Sequence, residues 1–175
     1  MIPPFTTSRL VLRDFTPGDR AALDAYRSDP RYQEFAGPDA RWTTELLDMF
    51  LRWAAERPRQ NFQLAIVEGV VIGSVGVRCK GCDPGVAEFG IEIAPSAWGR
   101  GLATEASRVL LAFAFRELRV GTLTGVSVTQ NHRVARLLSG LGFRSVGAGP
   151  GPEWMRARGW TESRWQLAAK DWDGS

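Results

Sequence analysis

Two acidic side chains in the middle of the chain have the type and spacing of proton acceptors. Glu88 and Glu92 fall on one face of the apolar run Val86–Ile93, because side chains alternate between the two faces of a strand. Carboxylates on the face of a central strand are costly to bury unless they are used. We expect Glu92, which is nearer the end of the run, to act as a general base, directly or through water, with Glu88 second. The alternative is a face that is solvated or paired with arginine.

A glycine turn follows this run and leads into an amphipathic helix pattern. The turn contains Trp98, Gly99, Arg100 and Gly101, and apolar residues recur at helical spacing over residues 102–115. A strand, a glycine turn and a helix start together form a phosphate site. Glycines let backbone N–H groups approach the anion, and the helix N-terminus carries a partial positive charge. The arginine in the turn can add a second, mobile charge.

Three phosphate ligands are candidates for this turn. The loop that binds nucleoside triphosphates is excluded, because no lysine follows the glycines. The dinucleotide fingerprint of a nicotinamide-dependent oxidoreductase is weak, since Thr104 stands where a third glycine is needed and no acidic residue follows the next strand at Val128. The third candidate is the pyrophosphate of coenzyme A.

The remaining pattern predicts a mixed α/β sheet with these residues on a central strand. Apolar or alternating runs predict strands at residues 9–13, 62–67, 70–77, 86–93, 122–128, 143–146 and 164–168. Helical spacing predicts helices at residues 16–27, from 43 or 44 to 57, 102–115 and 131–141. Thr16, Pro17 and Asp19 form the start of the first helix, and Gly142 ends the last one. The short Glu68-Gly69 link makes residues 62–77 a hairpin.

The composition is that of a globular protein, and we expect one domain spanning residues 1–175. Hydrophobic residues make up 44% and charged residues 23% of the chain, which excludes the disordered class. The net charge is +3 and no basic block occurs, so nucleic acid is not an expected partner. No apolar run is long enough to span a membrane, and residues 1–5 do not resemble a secretory signal. We therefore expect a cytoplasmic protein.

A single C-x-x-C motif, Cys79 to Cys82, lies in a loop that contains glycine and proline. A zinc site needs further ligands, but the chain has no other cysteine and one histidine, His132. We therefore expect reduced, inert thiols and no metal. The remaining alternative is a zinc ion shared between two copies of the chain, which would make the protein a homodimer. His132 follows Asn131 at a helix start, where we expect it to face solvent rather than to catalyse.

Five segments resemble the GNAT superfamily of N-acetyltransferases, most closely its ribosomal-protein-alanine (Rim-type) branch. They are T-S-R-L-V-L-R at residues 7–13, E-F-G-I-E-I at 88–93, W-G-R-G-L-A-T-E-A at 98–106, Asn131 with L-S-G-L-G-F at 138–143, and D-W at 171–172. They cover nearly the whole chain. Each segment alone is a weak signal, but five in the right order are specific.

The resemblance implies a sheet whose fourth and fifth strands splay apart and hold acetyl-CoA between them. By resemblance, the backbone at Ile93 and Ala94 holds the pantetheine arm and meets the oxyanion, and the amide of Asn131 binds the arm. Val134 stands where many members have a serine that is proposed to protonate the leaving thiolate, so that proton comes from elsewhere or is not needed. The pyrophosphate is expected against Trp98, Gly99, Arg100, Gly101, Leu102, Ala103 and Thr104.

The resemblance also implies the reaction: an acyl group, most simply acetyl, moves from CoA to a primary amine by direct attack. The acceptor is a protein N-terminus or a small amine. An α-amine with a pKa of about 8 is partly neutral at pH 7, whereas a lysine-type amine with a pKa of about 10.4 needs a base. Transfer of another acyl group such as succinyl, and a catalytically silent module that binds acyl-CoA, are the alternatives. Residues expected near the acceptor are Tyr32, Phe35, Trp42, Trp154, Trp160, Arg156, Arg158 and Arg164.

Overall fold

The computed structural model describes residues 2–37 and 43–174 and contains one mixed sheet. The eight strands of this part are ordered β1-β2-β3-β4-β5-β6-β8-β7. Neighbours are antiparallel except β5 and β6, which run parallel. The strands are β1 (Phe5–Thr6), β2 (Val11–Asp14), β3 (Asn61–Glu68), β4 (Val70–Arg78), β5 (Val86–Ile93), β6 (Thr122–Val128), β7 (Arg144–Gly149) and β8 (Glu162–Ala168).

The helices connect these strands and cover both faces of the sheet. They are α1 (Arg20–Arg27), α2 (Pro30–Gln33), α3 (Thr43–Ala55), α4 (Leu102–Ala112), α5 (His132–Gly140) and α6 (Glu153–Arg156). Helix α4 continues into a π-helical segment, Phe113–Glu117, and short 3-10 turns occupy Pro17–Asp19, Pro95–Ala97 and Ala169–Asp171. The seven predicted strands and four predicted helices are all present; the strands at 86–93 and 122–128 have the predicted ends, and the other elements have shifted ends. The sequence does not predict β1, α2 and α6.

The two faces of the sheet are covered by different helices. Helix α1 packs against β4 and α3 against β2 and β3, while α4 packs against β4 and β5. Phe62 stacks edge-on with Phe113, just beyond α4, whereas its neighbour Gln63 faces a cavity under α3. Because neighbouring strand residues point to opposite faces, α3 and α4 lie on opposite sides. The buried core includes Leu12, Leu64, Ile66, Val75, Leu102, Leu110 and Leu123.

Strands β5 and β6 separate after three paired residues. The ladder joins Val86–Glu88 to residues 122–124 and then stops. Beyond that point β5 pairs with β4 alone and β6 with β8 alone. The predicted splay of the fourth and fifth strands is therefore confirmed, at β5 and β6 in the present numbering.

Local sequence signals set the helix ends that border the splay. Asn131 caps α5, its Oδ1 accepting the backbone N–H of Val134 at 3.3 Å. Gly142 adopts a φ of +88° just after α5, the left-handed conformation that glycine supplies after a helix.

No helix among residues 2–37 and 43–174 is long and apolar enough to cross a membrane.

Candidate active site

A cleft of about 650 Å³ opens where β5 and β6 diverge. One wall is the end of β5, with Ile91, Glu92 and Ile93, and the opposite wall is α5. The floor is formed by the glycine turn and the first residues of α4, and α2 with the turn after it closes one end. This volume lies within the 300–1,000 Å³ that small-molecule sites typically have.

The glycine turn presents backbone N–H groups to the cleft. Gly99 and Gly101 have φ of +74° and +76°, a left-handed conformation that side chains disfavour. Gly101 precedes α4 and gives it no side-chain cap, so the first N–H groups of the helix remain available to a ligand. Leu102, Ala103 and Thr104 line the cleft here. The arrangement is a helix N-terminus open to an anion.

Trp98 ties the glycine turn to the end of β5. Its indole N–H donates to the backbone carbonyl of Ile93 at 2.9 Å. The guanidinium of Arg133, from α5, lies 4.5 Å from the centre of the Trp98 ring. Trp98 therefore bridges the two walls of the cleft near the glycine turn, a contact that the sequence did not predict.

The edge of β5 offers one backbone donor to the cleft near the expected acyl group. The N–H of Ala94 donates to the carbonyl of Ile72 on β4 at 2.7 Å, so it points away from the cleft. Backbone groups alternate in direction along an antiparallel ladder, so the N–H of Ile93 points the other way, towards the gap. Between the two predicted oxyanion donors, the geometry favours Ile93.

Three predicted site residues do not line the cleft. Ala94 is buried and bonded to β4 as described. Arg100 points out of the turn and makes a two-bond ion pair with Glu68, at 2.6 and 2.7 Å. Glu88 pairs with Arg78 at the part of the sheet where β5 and β6 are still hydrogen-bonded to each other. The glycine backbone rather than the Arg100 side chain is what the turn presents to the cleft.

Helix α5 supplies Val134 to the opposite wall, and its capping residue Asn131 lies on the same wall. Because the Oδ1 atom of Asn131 caps the helix, its side-chain NH₂ group is left to donate to a ligand. Val134 brings no hydroxyl to the cleft. Among the cleft residues in the described part of the chain, the hydroxyl groups are those of Tyr32 and Thr104. His132 is exposed, as expected.

The carboxylate of Glu92 is held by four side-chain donors. Oε1 accepts from the Tyr26 hydroxyl at 2.7 Å and from the Ser74 hydroxyl at 3.1 Å. Oε2 accepts from Arg27 at 2.6 Å and from the Tyr32 hydroxyl. A carboxylate has about four lone-pair positions, so these donors fill them. Both acidic residues predicted on this face are thus paired with arginine: Glu92 with Arg27 and Glu88 with Arg78.

Burial and charge keep the donors around Glu92 protonated. Burial raises the pKa of the Tyr26 and Tyr32 hydroxyls, and the negative charge of Glu92 raises both further. Burial alone would lower the pKa of the Arg27 guanidinium, but Glu92 and the two tyrosines raise it above its ordinary value. The side chains of Arg27 and Glu92 are 8% and 19% exposed. Among the described residues, the cluster therefore places the Glu92 carboxylate beside the Arg27 guanidinium at the edge of the cleft.

Two helices deliver three of these donors. Tyr26 and Arg27 end α1, and Asp29 caps α2 by accepting the backbone N–H of Arg31, which places Tyr32 on the next turn. Sequence reasoning missed Tyr26, Arg27 and Ser74. Ser74 could have been found, because it is the direct cross-strand partner of Glu92 in the β4–β5 pair. The two helix residues carry no such signal.

Aromatic rings join the turn after α2 to the segment that contains α6. Phe35, which lines the cleft, stacks on Trp160 with ring centres 5.4 Å apart. The Arg158 guanidinium lies over Trp160 and Trp154, 5.2 and 5.4 Å from their ring centres. These contacts connect the two segments expected to flank the acceptor. Trp42, also predicted there, lies outside the described residues.

The other predicted arginines and cysteines lie outside the cleft. Arg156 donates to the Gly151 carbonyl, and Arg164 pairs with Glu162. Cys79 and Cys82 are half-buried free thiols. Burial raises the pKa of the Cys79 thiol, which keeps it in the less reactive protonated form. Residues 2–37 and 43–174 bring no three histidine, cysteine or acidic side chains together in a metal-binding arrangement.

The family follows from a match to most of the chain. A family model of the acetyltransferase (GNAT) domain matches residues 9–144. The chain belongs to the GNAT acetyltransferase family. It is therefore an N-acetyltransferase, as the five sequence segments predicted, and acetyl-CoA is the acyl donor of this family.

Individual relatives agree with this family. YoaA of Bacillus subtilis (strain 168), an uncharacterized N-acetyltransferase, is 28% identical over 160 residues, which cover 84% of this chain and 86% of YoaA. The structure of ribosomal-protein-S5-alanine acetyltransferase from Vibrio fischeri has a TM-score of 0.79 at 15% identity, covering 98% and 100% of the two chains. Spermidine N-acetyltransferase from Vibrio cholerae, solved with CoA and spermine, has a TM-score of 0.72 at 17% identity, covering 94% and 98%. At these identities the two structures establish the fold.

Proposed function

We propose that the protein transfers an acetyl group from acetyl-CoA to a primary amine by direct attack of the amine on the thioester. The observation that carries this proposal is the cleft at the splay of β5 and β6. It joins an uncapped helix N-terminus at one end to a free strand edge and a carboxylate at the other. This order of groups matches a molecule with a pyrophosphate at one end and an acyl group at the other.

The residues that line the cleft fit coenzyme A in character. The backbone from Gly99 to Thr104 would receive the pyrophosphate, since its N–H groups are directed at an anion. The amide of Asn131 would donate to the pantetheine arm. The N–H of Ile93 would donate to the thioester oxygen as negative charge develops there. Trp98 keeps this strand end and the glycine turn in a fixed relation.

Glu92 is the proposed proton acceptor for the attacking amine, directly or through a water molecule. It lines the cleft beside Ile93. Because four donors fill its lone pairs, one of them must give way before the carboxylate accepts a proton. Glu88 is a poorer candidate, since it lies four residues further from the strand end and outside the cleft.

Departure of the CoA thiolate needs less help from the site than removal of the amine proton does. A thiol with a pKa near 8.5 leaves fairly readily as a thiolate near pH 7. Val134 cannot protonate it, and the Tyr32 hydroxyl, whose pKa burial raises, is a weak acid. Solvent water is therefore the proposed source of the final proton.

A second candidate is a module that binds acyl-CoA without transferring the acyl group. Two observations favour it: position 134 carries no hydroxyl, and the lone pairs of Glu92 are all occupied. Transfer of a succinyl group is a further alternative within the enzyme class.

The test is to measure thiol release from acetyl-CoA and from succinyl-CoA with a panel of amines, together with CoA binding by titration calorimetry. The panel contains small amines and short peptides with free N-termini. Release with acetyl-CoA that depends on the amine supports the proposal. Tight binding of acetyl-CoA with no release for any amine would establish the silent module instead. Release with succinyl-CoA alone would change the acyl group.

A further inference from the structure

A second cavity, of about 210 Å³, lies under α3 and shares Ile91 and Glu92 with the cleft. Its floor contains Gly76 and Gly90, which are direct cross-strand partners on β4 and β5. A Cβ atom at Gly90 would meet no other atom within 4 Å, so the space above it is open. The cavity exists because Gly90 carries no side chain, whereas at Gly76 the amide of Gln63 already occupies the place of a side chain.

The cavity has an apolar roof, and its floor carries the Gln63 amide near Gly76 and charged groups at both ends. Its roof is formed by α3 residues, and its floor runs from Ser74 and Glu92 at the cleft end to Arg78 at the far end. A strand rises about 3.4 Å per residue, so the distance from Ser74 to Arg78 is about 14 Å. The roof residues are Leu46, Met49, Phe50 and Trp53. An elongated molecule with an apolar middle fits this shape.

The charges that face the cavity differ between its two ends. At the cleft end Arg27 and Glu92 are bonded to each other. At the far end Arg78 pairs through one nitrogen with Glu88, and the two side chains are 42% and 37% exposed. A guanidinium has five N–H donors and binds carboxylates through two of them at once, so Arg78 retains donors for a second carboxylate. An ammonium group at the far end would instead meet a positive charge.

We infer that this cavity binds the acceptor, and that the preferred acceptor is a small primary amine with an apolar chain and a carboxylate at its far end. The inference rests on the proposed acetyl transfer. The amine lies at Glu92, beside the cleft, and the carboxylate lies at Arg78. The amine nitrogen forms the bond to the acetyl carbon, and the carbon–sulfur bond breaks. The amine proton goes to Glu92 or water, and the thiolate of CoA takes a proton from solvent.

The volume separates a small acceptor from a protein N-terminus. The cavity is smaller than the 300–1,000 Å³ typical of sites for drug-sized ligands, and α3 roofs it. A folded protein would have to insert its terminus beneath this helix. A free amine with a short chain enters without that requirement.

The first experiment compares three acceptors that share a lysine-type amine and a six-carbon chain: 6-aminohexanoate, hexylamine and 1,6-diaminohexane. Thiol release at saturating acetyl-CoA gives kcat/KM for each. The carboxylate compound should exceed hexylamine at least about tenfold, the effect of one hydrogen bond to a charged group, and the diamine should be the poorest. Equal values for the three compounds, or a preference for the diamine, would overturn the inference.

Two variants test the cavity, one at its far end and one in its floor. Arg78→Gln should reduce the ratio of kcat/KM for 6-aminohexanoate over hexylamine to near one. Arg52→Gln is its matched control, because Arg52 is exposed on α3 and does not line the cavity. Gly90→Val places a side chain in open space on a strand, where a β-branched residue is well tolerated. It should raise the KM for the acceptor at least about tenfold while the Kd for CoA stays unchanged.

The outcomes distinguish this inference from the function on which it rests. If no amine or peptide is acetylated by the unmodified protein, the proposed function fails. If peptides are acetylated and Gly90→Val leaves their KM unchanged, the function stands and this acceptor site is overturned. A ratio that survives Arg78→Gln would likewise overturn the role of the far end.

Discussion

A Glu92→Gln substitution should disturb the four donors around this side chain unequally. The hydroxyls of Tyr26 and Ser74 can turn to accept a hydrogen bond, but the guanidinium of Arg27 can only donate. The glutamine NH₂ group should therefore take the place of Oε1, facing the two hydroxyls, and its oxygen should remain beside Arg27 and Tyr32. The contacts survive in number, but the negative charge that strengthens them is lost.

The expected cost follows from the two bonds on the Arg27 side. A hydrogen bond to a charged group contributes about 1.5–3 kcal/mol and one between neutral groups about 0.5–1.5 kcal/mol. The Tyr32 bond loses that difference, whereas Arg27 keeps a bond from a charged donor but loses its counter-charge. Because the glutamine retains both bonds, the free energy of unfolding should fall by about 2–3 kcal/mol, less than when a partner of a buried ion pair is removed outright. For a chain of this size the melting temperature then falls by about 4–12 °C. Calorimetry of both proteins at pH 7 measures this.

Activity against pH separates a base from a residue that only positions others. If Glu92 accepts the amine proton, the variant should lose about 100-fold in kcat/KM at pH 7. Its remaining turnover would depend on the neutral fraction of the amine. With a lysine-type acceptor of pKa about 10.4, kcat/KM should then rise about tenfold per pH unit between pH 6 and 9. The profile of the unmodified protein should be flatter.

Two results would refute this reasoning. An unchanged kcat/KM at pH 7 in a less stable variant would mean that Glu92 holds the helices but takes no proton. An equal loss at every pH would leave Glu92 a positioning residue. The stability control is Glu88→Gln, since Glu88 and Arg78 form a half-exposed pair. Its free energy of unfolding should change by less than about 1 kcal/mol.

Three further predictions concern the cleft and the first helix. Trp98→Phe removes the indole bond to the Ile93 carbonyl, so CoA binding measured by titration calorimetry should weaken about two- to tenfold. Gly99→Ala forces a side chain to a φ of +74°, which should lower the free energy of unfolding by about 1–2 kcal/mol in urea titrations. Burial raises the pKa of Asp19, but Arg13 and Thr16 outweigh it, so the net pKa lies below the ordinary 3.8. Its stabilisation is therefore full above pH 3.8 and lost as pH falls through the lower folded value, so Asp19→Asn should destabilise at pH 7 and progressively less as the pH falls below 3.8.

Each of these predictions has a result that contradicts it. CoA affinity that survives Trp98→Phe would show that the indole bond does not hold the cleft. Gly140→Ala is the control for Gly99→Ala, because Gly140 has open space and an ordinary φ. Equal destabilisation by both would remove the conformational argument. An effect of Asp19→Asn that does not shrink as the pH falls below 3.8 would mean that the charge of Asp19 is not what stabilises the fold.

The longer elements were predictable because each carries its own hydrophobic period. Residues 86–93 and 122–128 alternate or run apolar over their whole length, and the strands occupy those residues. The elements that the sequence does not predict, Phe5–Thr6, Pro30–Gln33 and Glu153–Arg156, have two to four residues, which is too short for a period. The π-helical segment after α4 also has no pattern that distinguishes it from a continued helix.

The chemistry of the site was predictable where it depends on backbone and not where it depends on distant side chains. Glycines after a strand indicate a turn with open backbone N–H groups. This prediction does not depend on the direction of the Arg100 side chain. The partner of Glu92 is different, because Arg27 lies 65 positions away and reaches it only through the packing of α1 on the sheet. The sequence could state that Glu92 is either a base or paired with arginine. The structure shows that it is paired, and that it borders both the cleft and the cavity under α3. A carboxylate fixed in this position borders the place where the two proposed substrates would meet, and one of its four donors must give way before it accepts a proton.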